Sequence, residues 1–111
     1  MSFSIILLNS FEKELKKLVK KYPSLKQDYA KLLDEMEANP KLGTPIGKNC
    51  YKIRLSITSK GKGKSGGARV ITHLIISINS ETLYLLKIYD KGELDNISEA
   101  ELKHLLLEIT G

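Results

Sequence analysis

The sequence has no tryptophan, one cysteine and two histidines, so it is poor in the residues that carry redox or metal chemistry. A single cysteine excludes an internal disulfide and is compatible with a reducing compartment. The spacing of Cys50, His73 and His104 fits no zinc site. We therefore expect neither a metal nor a cofactor.

The polar loop at 90–96 offers an alternative metal site. Asp90, Glu93 and Asp95 supply carboxylates, which are ligands that Mg²⁺ prefers. Residues of this kind also form turns and cap helices, and we favour this structural interpretation.

Long apolar runs are missing as well. No stretch reaches the roughly 20 residues of a membrane span. Residues 1–8 lack the basic start and long apolar centre of a secretory signal. We expect a cytoplasmic protein with no membrane partner.

What the sequence does have is an excess of positive charge on an ordinary globular composition. Lys and Arg number 18 against 13 Asp and Glu, which gives a net charge of +5 and leaves 41% hydrophobic residues. The length of 111 residues predicts one domain, 1–111, around one hydrophobic core. The basic excess favours nucleic acid as a partner, although a merely solvated basic surface would account for it equally well.

The spacing of apolar residues predicts a strand and two helices in the first half. The run from Phe3 to Leu8 lacks helical spacing and indicates a strand. Helical spacing follows on both sides of Pro23, and capping-box patterns predict helix starts at Asn9 or Ser10 and at Ser24.

Three strands and a helix are predicted in the second half, after a loop at 40–49. Apolar and polar residues alternate from Tyr51 to Thr58, and further strands are predicted in Ala68–Ile78 and Leu83–Tyr89. A capping box at Ser98 opens the last helix. The order β-α-α-β-β-β-α predicts an α+β domain with an antiparallel-rich sheet. Its N-terminal helical hairpin and C-terminal helix are expected to pack largely on one sheet face.

The central hairpin is predicted to carry a cluster of cations. Lys52 and Arg54 share one face of their strand, and a hairpin could bring Arg69 onto that face. The loop between the strands adds Lys62 and Lys64 on a glycine-rich backbone. That backbone could hold phosphate or remain a flexible, solvated loop. Fixed cations on a sheet suit an anion such as a nucleic-acid phosphate.

The last strand supplies further candidates. Lys87 and Tyr89 share a parity, and Tyr89 could stack on a base or simply cover the sheet edge. Lys91 follows the strand and could lean over the same face or point into solvent. For His73 we favour a hydrogen-bonded strand histidine over a member of the cluster.

These stretches resemble the RelE-type toxins. Cys50–Leu55, a glycine turn and Ala68–Ile71 are similar to the central hairpin of that family. The stretch Gly63–Ile71, followed by Leu83–Lys91 and an Ile-Ser-Glu helix start, resembles its HigB-like branch. The match covers nearly the whole chain.

The resemblance implies a bacterial type II toxin that enters the ribosomal A site, cuts mRNA without a metal and is held inactive by a cognate antitoxin. By position, Lys52 and Arg54 fall on the catalytic basic pair and Arg69 on the phosphate-binding arginine. Lys91 falls near a second basic residue that stabilises developing charge. Arg69 is expected to be an exposed surface arginine. The candidates for substrate binding are Lys62, Lys64, Lys87 and Tyr89.

Two positions depart from the family pattern. Ile97 lies where the family often has a tyrosine or histidine that stacks on the base, and Tyr89 could take that part. Arg54 lies where a lysine is common, and an arginine stays charged, so it is a poor proton donor or acceptor.

Two alternatives remain from the sequence. One is a ParE-like toxin of the same fold that poisons DNA gyrase without cutting RNA. The other is a module whose cations only hold nucleic-acid phosphate. Message cleavage in a translation reaction would separate the enzyme from both.

Overall fold

A five-stranded sheet with helices on both faces builds the fold, as seen in a computed structural model that describes residues 2–110 and, for Thr110, the backbone alone. The elements in chain order are β1 (Ser2–Leu7), α1 (Asn9–Lys21), α2 (Leu25–Ala38), β2 (Thr44–Gly47), β3 (Cys50–Leu55), a 3₁₀ turn (Thr58–Lys60), β4 (Ala68–Ile76), β5 (Ser80–Asp90) and α3 (Glu99–Thr110). The predicted α+β class is confirmed.

The strands lie in the order β1-β5-β4-β3-β2. The antiparallel pairing predicted for β3, β4 and β5 is confirmed, and β1 runs parallel to β5. The prediction of a plain loop at 40–49 is wrong, because Thr44–Gly47 pairs with β3. Proline, glycine and an irregular register between Pro45 and Gly47 concealed this short edge strand.

The helices occupy both faces of the sheet, which corrects the expectation of packing largely on one. Apolar residues of α1 and α2, among them Phe11 and Leu32, join the core on one face, whereas Leu102 and Leu105 of α3 pack on the other. The physical reason lies in β4, where consecutive residues from Ala68 to Thr72 are buried. A strand covered on both faces needs a helix on each side.

A bulge in β5 directs the side chains near the candidate site. Thr72 pairs with Leu85 and Ile71 with Lys87, so Leu86 has no partner on β4. The extra residue shifts the alternation of side chains. Leu85 therefore faces the α1–α2 core, whereas Lys87 and Tyr89 face the α3 side.

Only one of the three predicted capping boxes forms its cap bond. The N-cap of α1 is Leu8, and Ser24 makes no side-chain cap bond at the start of α2. Ser24 instead donates from Oγ to Asp28 Oδ2 at 2.9 Å. Ser98 Oγ accepts the Glu101 N–H at 3.1 Å, so the cap of α3 is confirmed. No helix within residues 2–110 is long and apolar enough to cross a membrane.

Candidate active site

The register of β3 and β4 brings the predicted cations onto one face. Arg54 lies directly opposite Arg69, and Lys52 lies opposite Ile71. Two like charges facing each other would normally destabilise a sheet. The two side chains lie in different environments, because Arg54 is exposed whereas Arg69 is buried and bonded to carbonyl oxygens.

The burial of Arg69 corrects the expectation of an exposed surface arginine. Its residue is only 4% exposed. The guanidinium Nη1 donates to the carbonyl oxygens of Lys64 at 2.8 Å and Ala68 at 3.1 Å, and Nη2 donates to that of Ser65 at 3.3 Å. Arg69 therefore fixes the glycine-rich loop to the sheet. Three backbone carbonyl oxygens already accept hydrogen bonds from its guanidinium.

The loop ends in a close approach that requires glycine. A Cβ atom at Gly67 would lie 2.1 Å from the carbonyl oxygen of Leu55. A second contact at the loop end comes from Lys91, whose N–H donates to the Gly67 carbonyl at 3.0 Å. Together with the bonds of Arg69, these contacts anchor the loop end, so the alternative of a wholly flexible loop is not supported there.

An open cleft of about 330 Å³ gathers three cations beside the part of β3 that β2 leaves unpaired. We call it the basic cleft and define it by Lys52, Arg54 and Lys64, with Glu35 of α2 as its carboxylate. Sequence reasoning missed Glu35, because its position on a helix face carries no signal that it meets β3. Lys62 is exposed, and its side chain lies near Gly66 within the loop rather than along the cleft.

A second cavity, of about 430 Å³, opens on the other side of Lys52. Lys48, Ile97 and Ser98 line it, so Ile97 lies near the lysine that the sequence places in the site. Lys48 was also missed. It lies in the turn between β2 and β3, with a positive φ of 55°.

Lys87 and Lys91 lie outside the basic cleft and are held in ion pairs. Lys87 Nζ bonds to Glu101 of α3. Lys91 Nζ donates to both the carbonyl oxygen and Oδ1 of Asp95 at 2.6 Å. This hydrogen bond, together with the charge of Lys91 and a smaller contribution from Lys52, lowers the pKa of Asp95.

Tyr89 is buried beneath α3, so of the two alternatives for this residue the structural one fits its position. It is 5% exposed, and burial is the main reason that its pKa is raised. Its Oη has no hydrogen-bond partner among the described residues. Leu102 and Leu105 belong to the same cluster and cover the ring.

Cys50 and His73 lie side by side on β3 and β4, and Cys50 belongs to the cluster that α3 covers. Cys50 Sγ lies 3.4 Å from His73 Nδ1. Burial raises the pKa of Cys50 to about 11, so the thiol stays protonated at neutral pH. Burial also lowers the pKa of His73, against the opposing effect of hydrogen bonds to the backbone of Lys48 and Asn49. The favoured interpretation of a hydrogen-bonded strand histidine is confirmed.

Two buried carboxylates hold the chain where it enters the loop. Asp28 accepts bonds from the Thr58 N–H at 2.9 Å and Oγ1 at 2.7 Å, and β3 ends before this residue, at Leu55. Asp90 accepts bonds from Tyr22 Oη at 2.6 Å and Lys60 Nζ at 2.7 Å. Burial alone would raise the pKa of Asp90, but the bonds from Lys60 and Tyr22 outweigh it and lower the pKa to about 2.

The acidic loop at 90–96 therefore has structural partners. Asp90, Glu93 and Asp95 each form a salt bridge with a different lysine. Within residues 2–110, no group of three or more His, Cys, Asp or Glu side chains is placed to hold a metal ion. The turn interpretation fits Asp90 well, because its Oδ1 also accepts the Gly92 N–H at 2.9 Å.

The fold has a counterpart among solved structures. A free-state structure of the E. coli toxin RelE, with two arginines replaced by alanine, matches with a TM-score of 0.58 and 18% sequence identity. The match covers 86% of this chain and 90% of that one. No protein-family model matches the sequence. The protein therefore has a RelE-like fold.

Proposed function

We propose that this protein is a toxin that cuts mRNA in the ribosomal A site and so inhibits translation in the cytoplasm. The observation that carries the proposal is the basic cleft, in which Lys52, Arg54 and Lys64 meet beside β3 of a RelE-like fold. Three cations around one cleft suit the non-bridging oxygens of a phosphodiester and the charge that develops on them during cleavage. A cognate antitoxin with acidic or amphipathic segments would cover or distort this cleft.

The proposed reaction needs no metal or cofactor. The 2′-OH of one nucleotide attacks the adjacent phosphorus, and the bond to the 5′-oxygen of the next nucleotide breaks. The products are a 2′,3′-cyclic phosphate and a 5′-OH. Lys52 is the proton acceptor for the 2′-OH, and Arg54 binds the charged oxygens of the phosphorane. Lys64 donates a proton to the leaving 5′-oxygen.

In this scheme Arg69 is a positioning residue. Its bonds to the carbonyl oxygens of Lys64 and Ser65 place Lys64 at the cleft. Lys62 contributes phosphate attraction from the exposed loop. The scheme gives no step to Lys87 and Lys91, which are ion-paired, or to Tyr89, which is buried. The ribosome supplies the orientation of the message, which a site of three cations lacks by itself.

The test is a translation reaction programmed with a defined message. We expect cleaved message with 2′,3′-cyclic phosphate ends, seen by primer extension and mass spectrometry. K52A/R54A should abolish cleavage. The matched control K16A/K17A removes two exposed lysines of α1 and should cut normally. Intact message with the folded wild-type protein would reject the proposal.

The second candidate is a module that binds nucleic acid without cutting it. The burial of Arg69 favours it, since one fewer cation is free to stabilise a transition state than the family resemblance implies. Phosphate-dependent RNA binding with no cleavage on ribosomes would select this candidate. A gyrase supercoiling assay tests the ParE-like alternative on the same preparation.

A further inference from the structure

The edge of β5 opposite β4 is only half covered. β1 pairs with Ser80–Leu85 and then leaves the sheet to form α1. Within residues 2–110, no strand lies beside Leu86–Asp90 on that edge. An open strand edge carries backbone donors and acceptors that can pair with another chain.

The uncovered edge forms the floor of a groove between two helices. The groove has a volume of about 470 Å³, and all residues from Leu86 to Asp90 line it. Glu14 of α1 forms one wall, and Glu101 and Glu108 of α3 form the other. We call it the β5 groove. Both walls belong to helices that pack on the sheet, so an added strand would enter the space between α1 and α3.

The backbone of Ile88 faces this groove. Lys91 N–H donates to Gly67 on the β4 side, so residues of the same parity point towards β4. Backbone groups of successive strand residues point to opposite edges. Ile88 and Asp90 therefore direct theirs into the groove, where the Asp90 carbonyl already accepts the N–H groups of Glu93 and Leu94 at 3.0 Å.

The β5 groove is acidic although the whole protein has a net charge of +5. Its lining includes Glu14, Glu93, Glu101 and Glu108, against Lys87 as the one lysine among the described lining residues. Glu14 and Glu108 belong to none of the salt bridges formed within residues 2–110.

We infer that the β5 groove binds an extended, lysine- or arginine-bearing segment of a partner protein, which adds a strand to β5. Main-chain hydrogen bonds to Ile88 position the segment along β5. The wall glutamates Glu14 and Glu108 attract its basic side chains. A second copy of this chain is a poorer occupant, because its own edge strands β1 and β2 carry no charged residue. This inference does not depend on RNA cleavage.

The first test uses a fluorescein-labelled heptapeptide in which valine and lysine alternate. We expect it to bind, although the net charge of the protein opposes a cationic ligand, and to shift the amide resonances of Ile88 and Asp90. The same peptide N-methylated at alternate residues keeps its charge but cannot pair as a strand, so it should not bind. Equal binding of both peptides, no binding of either, or shifts at β1 instead would overturn the inference.

The second test reverses charge on the walls. E14K/E108K should weaken binding of the valine–lysine peptide by about fivefold or more, since exposed ion pairs are individually modest. The matched control D34K/E37K changes the net charge equally on exposed positions of α2 and should bind as the wild type does. If E14K/E108K fails to fold, the wild-type amide shifts still decide. If the Ile88 and Asp90 amides shift without peptide while light scattering shows self-association, the occupant is a second copy and the inference is overturned.

Discussion

At the scale of single residues, burial separates Arg54 from Arg69, two side chains that the sequence places on the same sheet face. Both are arginines on neighbouring strands with the same facing, and parity cannot distinguish them. The difference arises from the loop, whose carbonyl oxygens surround the Arg69 guanidinium and exclude water from it. Such a tertiary contact leaves no periodic signal in a sequence.

Arg69→Ala should destabilise the protein by about 1–3 kcal/mol, because it removes a buried guanidinium and its hydrogen bonds to the loop and to β4. Arg54→Ala should change the free energy of unfolding by less than about 0.5 kcal/mol, since Arg54 is exposed. If Arg54 holds the phosphorane, its loss should slow message cleavage by about 10²–10³. Urea unfolding and ribosome cleavage on the same two preparations measure both quantities. Equal stability of the two variants would contradict the structural part given to Arg69.

Asp90 should make stability depend on pH in the acid range. Its pKa of about 2 in the folded protein lies below the ordinary value of 3.8. The folded state therefore binds the proton less readily, and the stabilisation is complete above about pH 4 and lost as pH falls towards 2. The shift corresponds to roughly 2 kcal/mol. Asp90→Asn should be less stable at pH 7 and should lose less stability than wild type on acidification, as measured by urea unfolding at each pH. Parallel pH profiles would remove Asp90 as a source.

At the scale of elements, alternation and helical spacing predict most of the fold, and context decides the rest. The strict alternation of β3 identifies its polar face, and the capping serine of α3 identifies that helix start. The bulge at Leu86, after which the side chains of β5 alternate in the opposite phase, cannot be predicted from the sequence, because a bulge depends on pairing with β4. The strand β2 cannot be predicted from the sequence either, because two of its four residues are the turn formers Pro45 and Gly47.

The C-terminal helix α3 should be required for the folded state, because it alone among the described elements supplies the helical cover for Ile71 and Tyr89. Leu105→Ala removes a side chain that is 6% exposed and should cost about 2–5 kcal/mol. Lys103→Ala on the exposed side of the same helix is the control and should stay within about 0.5 kcal/mol. Thermal and urea unfolding measure both, and a wild-type stability of Leu105→Ala would show that α3 packs differently.

At the scale of the whole molecule, opposite charges collect where the two edge strands stop short. β2 pairs only with the first part of β3, and the basic cleft lies beside the remainder. β1 pairs only with the first part of β5, and the acidic β5 groove lies beside its remainder. The net charge of +5 therefore hides two surfaces of opposite sign at the two ends of the sheet order. Composition gives the sum of the charges, whereas only the pairing of the strands separates them.

RNA binding should therefore depend on salt chiefly through the basic cleft. Three cations that contact single-stranded phosphates give a log–log slope of affinity against salt of about −2, at roughly 0.7 for each contact. Lys64→Ala should reduce the slope to about −1.4, whereas Lys16→Ala on exposed α1 should leave it unchanged. Glu35→Gln should strengthen binding, because it removes the carboxylate that opposes the phosphate in the cleft. Fluorescence anisotropy with a short RNA at several salt concentrations measures all four proteins. A slope that responds to Lys16 as much as to Lys64 would mean that RNA binds the general basic surface and that the cleft is not its site.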